Sequence, residues 1–359
     1  MKHFIVGPVQ MYPGTATVRA KELPYFRTTE FGDIVKANLK TLAKYINTST
    51  PDGIIYLSAS GTGAMEAVVE NCVNAGDKAL VINGGTFGRR FVELLKYHEI
   101  PCDTVDLKWN ETLTPAHLSP FENKGYTMLF VNLHETSTGQ LYDIAMLSEF
   151  AKRNKMMLVV DAISTFLADE YDMEKYGIDV TVISSQKGLC LSPGMSIVAF
   201  SCRMIDKIGK MKKTPSKYFD FKDYLLNITR GQTPYTPPVC VMFELQDMLA
   251  MIEREGGLPA RLKTVAERAV YFRKKAVAKG FVIPDYPLSN LLTPLYFENM
   301  DAEKIIRRLA DKYQIYVNPC GGELAHKLFR VSHIGNTTLA DIDDLFEKLT
   351  DVIREVGND

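Results

Sequence analysis

Neither charge sign is in excess, no long apolar run is present, and cysteine and tryptophan are scarce. Lys and Arg number 42 against 43 Asp and Glu, which gives no ground for a nucleic-acid or anionic-membrane partner. No apolar run approaches the roughly 18 residues needed to span a bilayer. The opening MKHFIVGPVQMYPG lacks the long apolar centre of a signal peptide and reads as mature sequence. The six cysteines (Cys72, Cys102, Cys190, Cys202, Cys240, Cys320) form no CxxC pair and no metal-ligand spacing. Scattered in a chain this large, they are expected as reduced, mostly buried thiols in a cytoplasmic protein. His134 has no second His or Cys at ligand spacing, so it reads as a structural histidine and no metal is expected.

What is present is organised around residues 157–200. The apolar run MLVV at 157–160 delivers Asp161, and VTVISSQ at 180–186 delivers Lys187. Continuous β-branched runs separated by a helical-looking segment fit strands buried on both faces of a parallel sheet. Ligands of open α/β sheets sit at the carboxyl ends of such strands. A lone lysine at a strand end is ordinarily a solvated cap. A lysine paired with an acid there suits pyridoxal phosphate, which needs a lysine for its Schiff base and an acid to keep its ring nitrogen protonated. Desolvation makes the amine available as a nucleophile. A carboxylate about 4 Å from the pyridinium gains roughly 4 kcal/mol at an effective dielectric near 20. Ser192-Pro193-Gly194 is expected to turn the chain sharply and expose Lys187.

From residue 54 to 200 strands and helices alternate and two further strands close the run, which implies an α/β fold with a mainly parallel sheet. The short strand at 54–57 leads into SASGTGAMEA, where small residues precede a helix. A helix N-terminus with free N–H groups is an anion site, although such a turn also serves as a plain cap. Gly84-Gly85-Thr86-Phe87-Gly88 follows the strand at 79–83, and His134-Glu135-Thr136-Ser137-Thr138-Gly139 follows the strand at 127–133. Phe87 is either a staple onto the following helix or a ring-stacking residue. Residues 206–238 interleave basic and aromatic side chains, a nucleic-acid signature that the overall charge balance opposes. The division expected is an arm over 1–35, a large cofactor domain over 36–240, linking helices over 241–279 and a small α+β domain over 280–359. Arg330 stands between apolar neighbours on an apparent strand, an expensive place for an unpaired charge. A guanidinium there suits bidentate grip of a carboxylate.

Asp161-Ala162-Ile163-Ser164, Ser184-Ser185-Gln186-Lys187-Gly188 and the motifs near 60, 136 and 330 together resemble the class V aminotransferases among the fold type I pyridoxal phosphate enzymes. The group most alike is the alanine–glyoxylate, serine–pyruvate and 2-aminoethylphosphonate transaminases. The resemblance implies a ping-pong transfer from a small amino acid to a 2-oxo acid such as pyruvate or glyoxylate. It places Ser60, Gly61 and Thr62 in a phosphate cup, with Gln186 reaching the phosphate. Phe87 and Ile163 would lie on opposite ring faces, and Thr136 near the cofactor's phenolic oxygen or the substrate carboxylate. Lys187 and Asp161 would be catalytic, and Arg330 would bind the substrate carboxylate. The loop GQTPYTPP at 231–238 would cross a homodimer interface and bring Thr236 to the neighbour's phosphate. A tyrosine usual three positions earlier is replaced by Thr233, with Tyr235 nearby. Arg27 is either a structural ion-pair residue or a substrate contact, while Arg89 and Arg90 are further cations available to a phosphonate. A desulfurase using Cys320, or a non-catalytic cofactor binder, are the rival readings.

Overall fold

The structure, a computed structural model, describes residues 1–211 and 214–357; two lysines of the basic stretch, Lys212 and Lys213, lie outside the described residues. The strands are β1 (Lys2–Phe4), β2 (Ile54–Leu57), β3 (Ala79–Asn83), β4 (Cys102–Asp106), β5 (Met128–Asn132), β6 (His134–Glu135), β7 (Gln140–Leu141), β8 (Met157–Asp161), β9 (Val180–Ser184), β10 (Ser196–Phe200), β11 (Leu292–Tyr296), β12 (Ile315–Pro319) and β13 (Leu328–Ser332).

Seven of them make the central sheet in the order β2-β10-β9-β8-β5-β3-β4. Only β10 runs antiparallel to its neighbours. Every residue of β2, β5, β9 and β10 is buried, as expected for strands covered by helices on both faces. The register sets Asn132 opposite Asp161 and Asp161 opposite Val182, so β5 and β8 end level and β9 runs two residues further, to Ser184. β4 gave no apolar run because it is the edge strand, with only Val105 of CDTVD buried.

Local chemistry explains the helix starts. Ser60 caps the helix Gly61–Cys72 by accepting from the Gly63 N–H. Thr28 does the same for Thr29–Ile46, and Asp143 for Ile144–Arg153. The paired helices Val239–Arg254 and Gly257–Ala278 break where Gly256 and Gly257 take φ of 108° and 74°, a left-handed region that glycine enters without a Cβ penalty.

The smaller sheet has the order β1-β12-β13-β11. The beginning of the chain is therefore more than an extended arm: β1 pairs parallel with β12, and Phe4 is buried in a second core with Phe272, Leu295, Phe329 and Phe346. Three residues with one core side chain leave no periodic trace. Residues 281–283 form no strand, and a single bridge joins Val282 to Tyr296. No helix among the described residues is long and apolar enough to cross a membrane.

Candidate active site

Asp161 and Lys187 emerge at the carboxyl ends of adjacent strands β8 and β9. Asp161 is buried, and its Oδ1 accepts from the Ile163 N–H at 2.8 Å. Burial pushes its carboxyl up to about 7, opposed by that hydrogen bond and by Lys187. Burial, then the Arg330 guanidinium, brings the Lys187 amine down to about 8, with Asp161 pulling the other way. Each group is thus disfavoured in its charged form, and each partly relieves the other.

The turn after Lys187 does not release the side chain to open solvent; Lys187 is half-buried. The cause is the beginning of the chain. A Cβ on Gly7 would come 2.9 Å from Lys187 Cδ and 3.1 Å from the Gln186 carbonyl oxygen, and the Val9 N–H donates to that same carbonyl at 3.3 Å. Gly7, with φ of 149°, lets the backbone lie against the lysine stem. The two linking helices hold the turn from the other side. Glu244, fully buried, accepts from the Ser192 N–H at 2.8 Å, from Ser192 Oγ at 2.6 Å and from Arg19 Nε at 2.6 Å. Arg261 donates to the Gly188 carbonyl, the Cys190 sulfur and Tyr12 Oη.

Ser60, Gly61 and Thr62 form the N-terminal turn of their helix beside this pair. A Cβ on Gly61 would meet Ile163 Cδ1 at 2.6 Å, so only glycine lets Ile163 sit where it does. Thr62 Oγ1 accepts from Arg90 Nη1 at 3.0 Å, and the Arg90 guanidinium stands 5.0 Å from the Phe87 ring centre. Gln186 Oε1 accepts from Ser184 Oγ at 2.7 Å, leaving its Nε2 without a partner among the described residues.

Glu135, unassigned by sequence, organises the facing side. It is fully buried, and its carboxylate accepts from the N–H groups of Phe87, Gly88 and Ser137, from Asn132 Nδ2 and from Ser137 Oγ. It therefore charges the N-terminus of the helix Thr86–Tyr97 favourably and fixes the turn that carries Phe87. The Thr136 hydroxyl donates to Ser164 Oγ at 2.7 Å, and the Thr136 carbonyl accepts from Arg330 Nη1, also at 2.7 Å. His134 is buried with Nδ1 3.2 Å from the Ser164 carbonyl; burial takes it down to about 3, so it stays neutral and structural.

Arg330, on β13, is 8% exposed. It donates to the carbonyls of Thr136 and Pro319, and its Nε is buried with no partner. No carboxylate lies within ion-pair distance of it among the described residues, so the guanidinium is not part of a structural salt bridge. Near the Thr136 and Pro319 carbonyls that hold it opens a cavity of about 670 Å³ lined by Gly85, Arg89, Trp109, Ser137, Cys320 and Lys327; neither Arg330 nor Lys187 lines it. Cys320 is buried, its thiol points to the Ser137 carbonyl at 3.5 Å, and burial raises its pKa.

Arg27 lies outside this cluster, as does Thr236, which was expected at the neighbouring subunit's site. Among the described residues Arg27 makes neither an ion pair nor a site contact; it donates to the carbonyls of Thr233 and Pro234 and to Gln232 Oε1, pinning the loop at 231–238. Thr236 on that loop is exposed. Thr233 is buried and donates to the Tyr235 carbonyl, while Tyr235 stacks on Tyr218.

A doubly covered, mainly parallel sheet carrying an acid–lysine pair at its strand ends, beside a helix N-terminus built for an anion, is the architecture of a fold type I pyridoxal phosphate enzyme. The chain belongs to the class V aminotransferases: that family's model, Aminotransferase class-V, matches residues 19–345. Among its relatives, the soluble hydrogenase 42 kDa subunit of Anabaena cylindrica is 29% identical over 99% of this chain and 94% of its own. The L-aspartate–glyoxylate aminotransferase of Paracoccus denitrificans is 27% identical over 93% of this chain and 86% of its own. The crystal structure of alanine–glyoxylate aminotransferase from a Nostoc species superposes with a TM-score of 0.91 at 25% identity, covering 98% of this chain and 94% of that one. This protein is a pyridoxal-phosphate-dependent transaminase. The residues present fit the cofactor: the capped helix N-terminus with Arg90 offers an anion cradle, and Gly61 leaves room for Ile163 beside Asp161.

Proposed function

We propose that the enzyme moves an amino group from a small amino acid of the alanine or serine type to a 2-oxo acid such as pyruvate or glyoxylate, by a ping-pong mechanism. The observation that carries this reading is Arg330, a buried guanidinium with no carboxylate of its own. Of its five N–H groups, two go to backbone carbonyls, and those remaining suffice for a bidentate grip on an α-carboxylate. Pyridoxal phosphate, when bound, supplies an aldehyde carbon for the amino group and an electron-poor ring that accepts the electron pair of the substrate Cα–H bond. Asp161 holds the proton on the ring nitrogen. Ser60, Gly61, Thr62 and Gln186 hold the phosphate, and Phe87 and Ile163 flank the ring. Lys187 anchors the cofactor and then, as a free amine, takes the proton from substrate Cα; a pKa lowered to about 8 makes a far larger share of Nζ neutral near pH 7 than in an ordinary lysine.

The active unit in this reading is a cytoplasmic homodimer, supported by the exposed Thr236 on a loop pinned by Arg27 and by six unpaired cysteines. A 2-aminoethylphosphonate donor would need cations beyond Arg330, for which the exposed Arg89 at the cavity rim is available. The buried, hydrogen-bonded Cys320 weighs against desulfurase chemistry. The test is a half-reaction screen of the holoenzyme with alanine, serine, glutamate and 2-aminoethylphosphonate, followed by cofactor absorbance. Fast conversion by alanine or serine is expected; conversion by the phosphonate alone would overturn the substrate assignment.

A further inference from the structure

Away from the active site, the helices Gly61–Cys72 and Thr86–Tyr97 meet near their C-terminal ends at three donors. Glu66 and Glu70 lie one turn apart on the first helix and face His98, the residue that closes the second. His98 Nε2 is 3.4 Å from Glu66 Oε1 and 3.9 Å from Glu70 Oε1, and one donor atom from each residue lies within 4.8 Å of the others. Those spacings are too long for N–H···O hydrogen bonds, which close to about 2.7–3.2 Å. Metal bonds of about 2.0–2.2 Å put neighbouring donors of a tetrahedron roughly 3.3–3.6 Å apart; the Glu66 spacing of 3.4 Å matches that edge and the Glu70 spacing of 3.9 Å exceeds it by a few tenths of an ångström.

Burial supplies the second observation. The Glu70 side chain is 10% exposed, and both its Oε2 and His98 Nε2 are buried without a hydrogen-bond partner. A carboxylate oxygen and an imidazole nitrogen left unpaired in this way cost stability unless something satisfies them. A cavity of about 650 Å³, lined by Glu70, Val73, His98, Glu99, Pro101 and Lys210, opens onto the cluster, so a cation can enter and a water can complete its coordination.

We propose that Glu66, Glu70 and His98 form a binding site for a divalent first-row transition cation of the Zn²⁺ type. One imidazole and two carboxylates are a donor set such ions accept. The ion acts as a clip between two helices whose opposite ends carry the Ser60–Thr62 turn and Phe87. It takes no part in amino transfer.

The test uses the metal-stripped holoenzyme titrated with Zn²⁺ by calorimetry, with Tm followed in parallel. Wild type is expected to take up one equivalent and to gain Tm on binding. His98→Asn and Glu70→Gln are each expected to weaken that equivalent at least about tenfold and to lose the Tm gain. Their Tm without metal reports whether they fold, and Glu66→Gln, at the more exposed ligand, gives an independent variant. Absence of a stoichiometric equivalent in wild type, or equal affinity in all three variants, overturns the proposal and leaves an ordinary His–Glu ion-pair cluster.

Discussion

Replacing Arg330 with lysine keeps the charge but removes the planar fork. In the structure the guanidinium is held by the Thr136 and Pro319 carbonyls, with Nε and the remaining Nη hydrogens free for a ligand. An ammonium at the end of a flexible stem can serve a carbonyl or a carboxylate, but not both carbonyls and a bidentate carboxylate together. Losing one charge-assisted hydrogen bond is worth about 1.5–3 kcal/mol. At 1.4 kcal/mol per decade that corresponds to a rise of roughly 10- to 150-fold in KM for an amino acid or 2-oxo acid. The assay is a half-reaction with alanine beside one with an amine donor that has no carboxylate. Arg330→Lys should weaken the first and leave the second within about twofold of wild type. An equal loss for both donors would show that Arg330 merely supports the fold, and the reasoning would fail.

Glu135→Gln replaces an acceptor of several hydrogen bonds by an amide that can accept on one side only. Two buried donors then lose a partner at about 1–3 kcal/mol each, so Tm should fall and cofactor affinity with it, while an unchanged Tm would contradict the role given to this residue. Gly7→Ala puts a Cβ 2.9 Å from Lys187 Cδ at a φ that disfavours side chains, and should lower kcat with little change in far-UV circular dichroism. In cofactor-free protein, labelling of Lys187 by an amine-selective reagent should be half-maximal near pH 8. The sign follows from burial: a lysine whose folded pKa is depressed destabilises the fold at pH below about 8, and the penalty is relieved as pH rises towards 10.5. Since Asp161 is the group that raises the Lys187 pKa, Asp161→Asn should move the labelling midpoint to lower pH; a shift to higher pH would contradict the pairing.

Asp161 and Lys187 were legible because the strands delivering them are apolar on both faces, a pattern with few alternatives, and the charge that ends each run marks the sheet's carboxyl edge. Ser60 was legible as a cap because a small polar residue before an amphipathic stretch can accept from a free N–H of the helix start. Glu135 was not. It sits in an irregular loop without periodicity, and its partners Phe87 and Gly88 lie 48 and 47 residues away, so only the folded chain shows what it accepts. Glu244 escaped for a related reason: in VCVMFELQDML it occupies a buried helical position, and nothing local tells that its partners are Ser192 and Arg19. The direction of an exposed or half-exposed arginine is equally invisible. Arg27, Arg89 and Arg90 read alike in sequence, yet one pins a loop, one lines a cavity rim and one reaches Thr62.

The charges around the strand ends are arranged for ligands that are themselves anionic. Glu135 is consumed by backbone N–H groups at a helix N-terminus, so its charge is largely offset locally. Lys187, Arg330 and Arg90 then share the site with one other buried carboxylate, Asp161. This imbalance shows in the directions of the shifts: Arg330 and Arg90 both push the lysine towards its neutral form. A generic surface lysine would need none of this. In the proposed reading a phosphate near Arg90 and a carboxylate at Arg330 would restore the balance, the first cation being held by Thr62 at a helix N-terminus and the second carried on β13. Moving either cation would change the state of the Lys187 amine as well as the affinity for its own ligand, which is why substitutions at Arg90 and Arg330 should alter the pH profile and not KM alone.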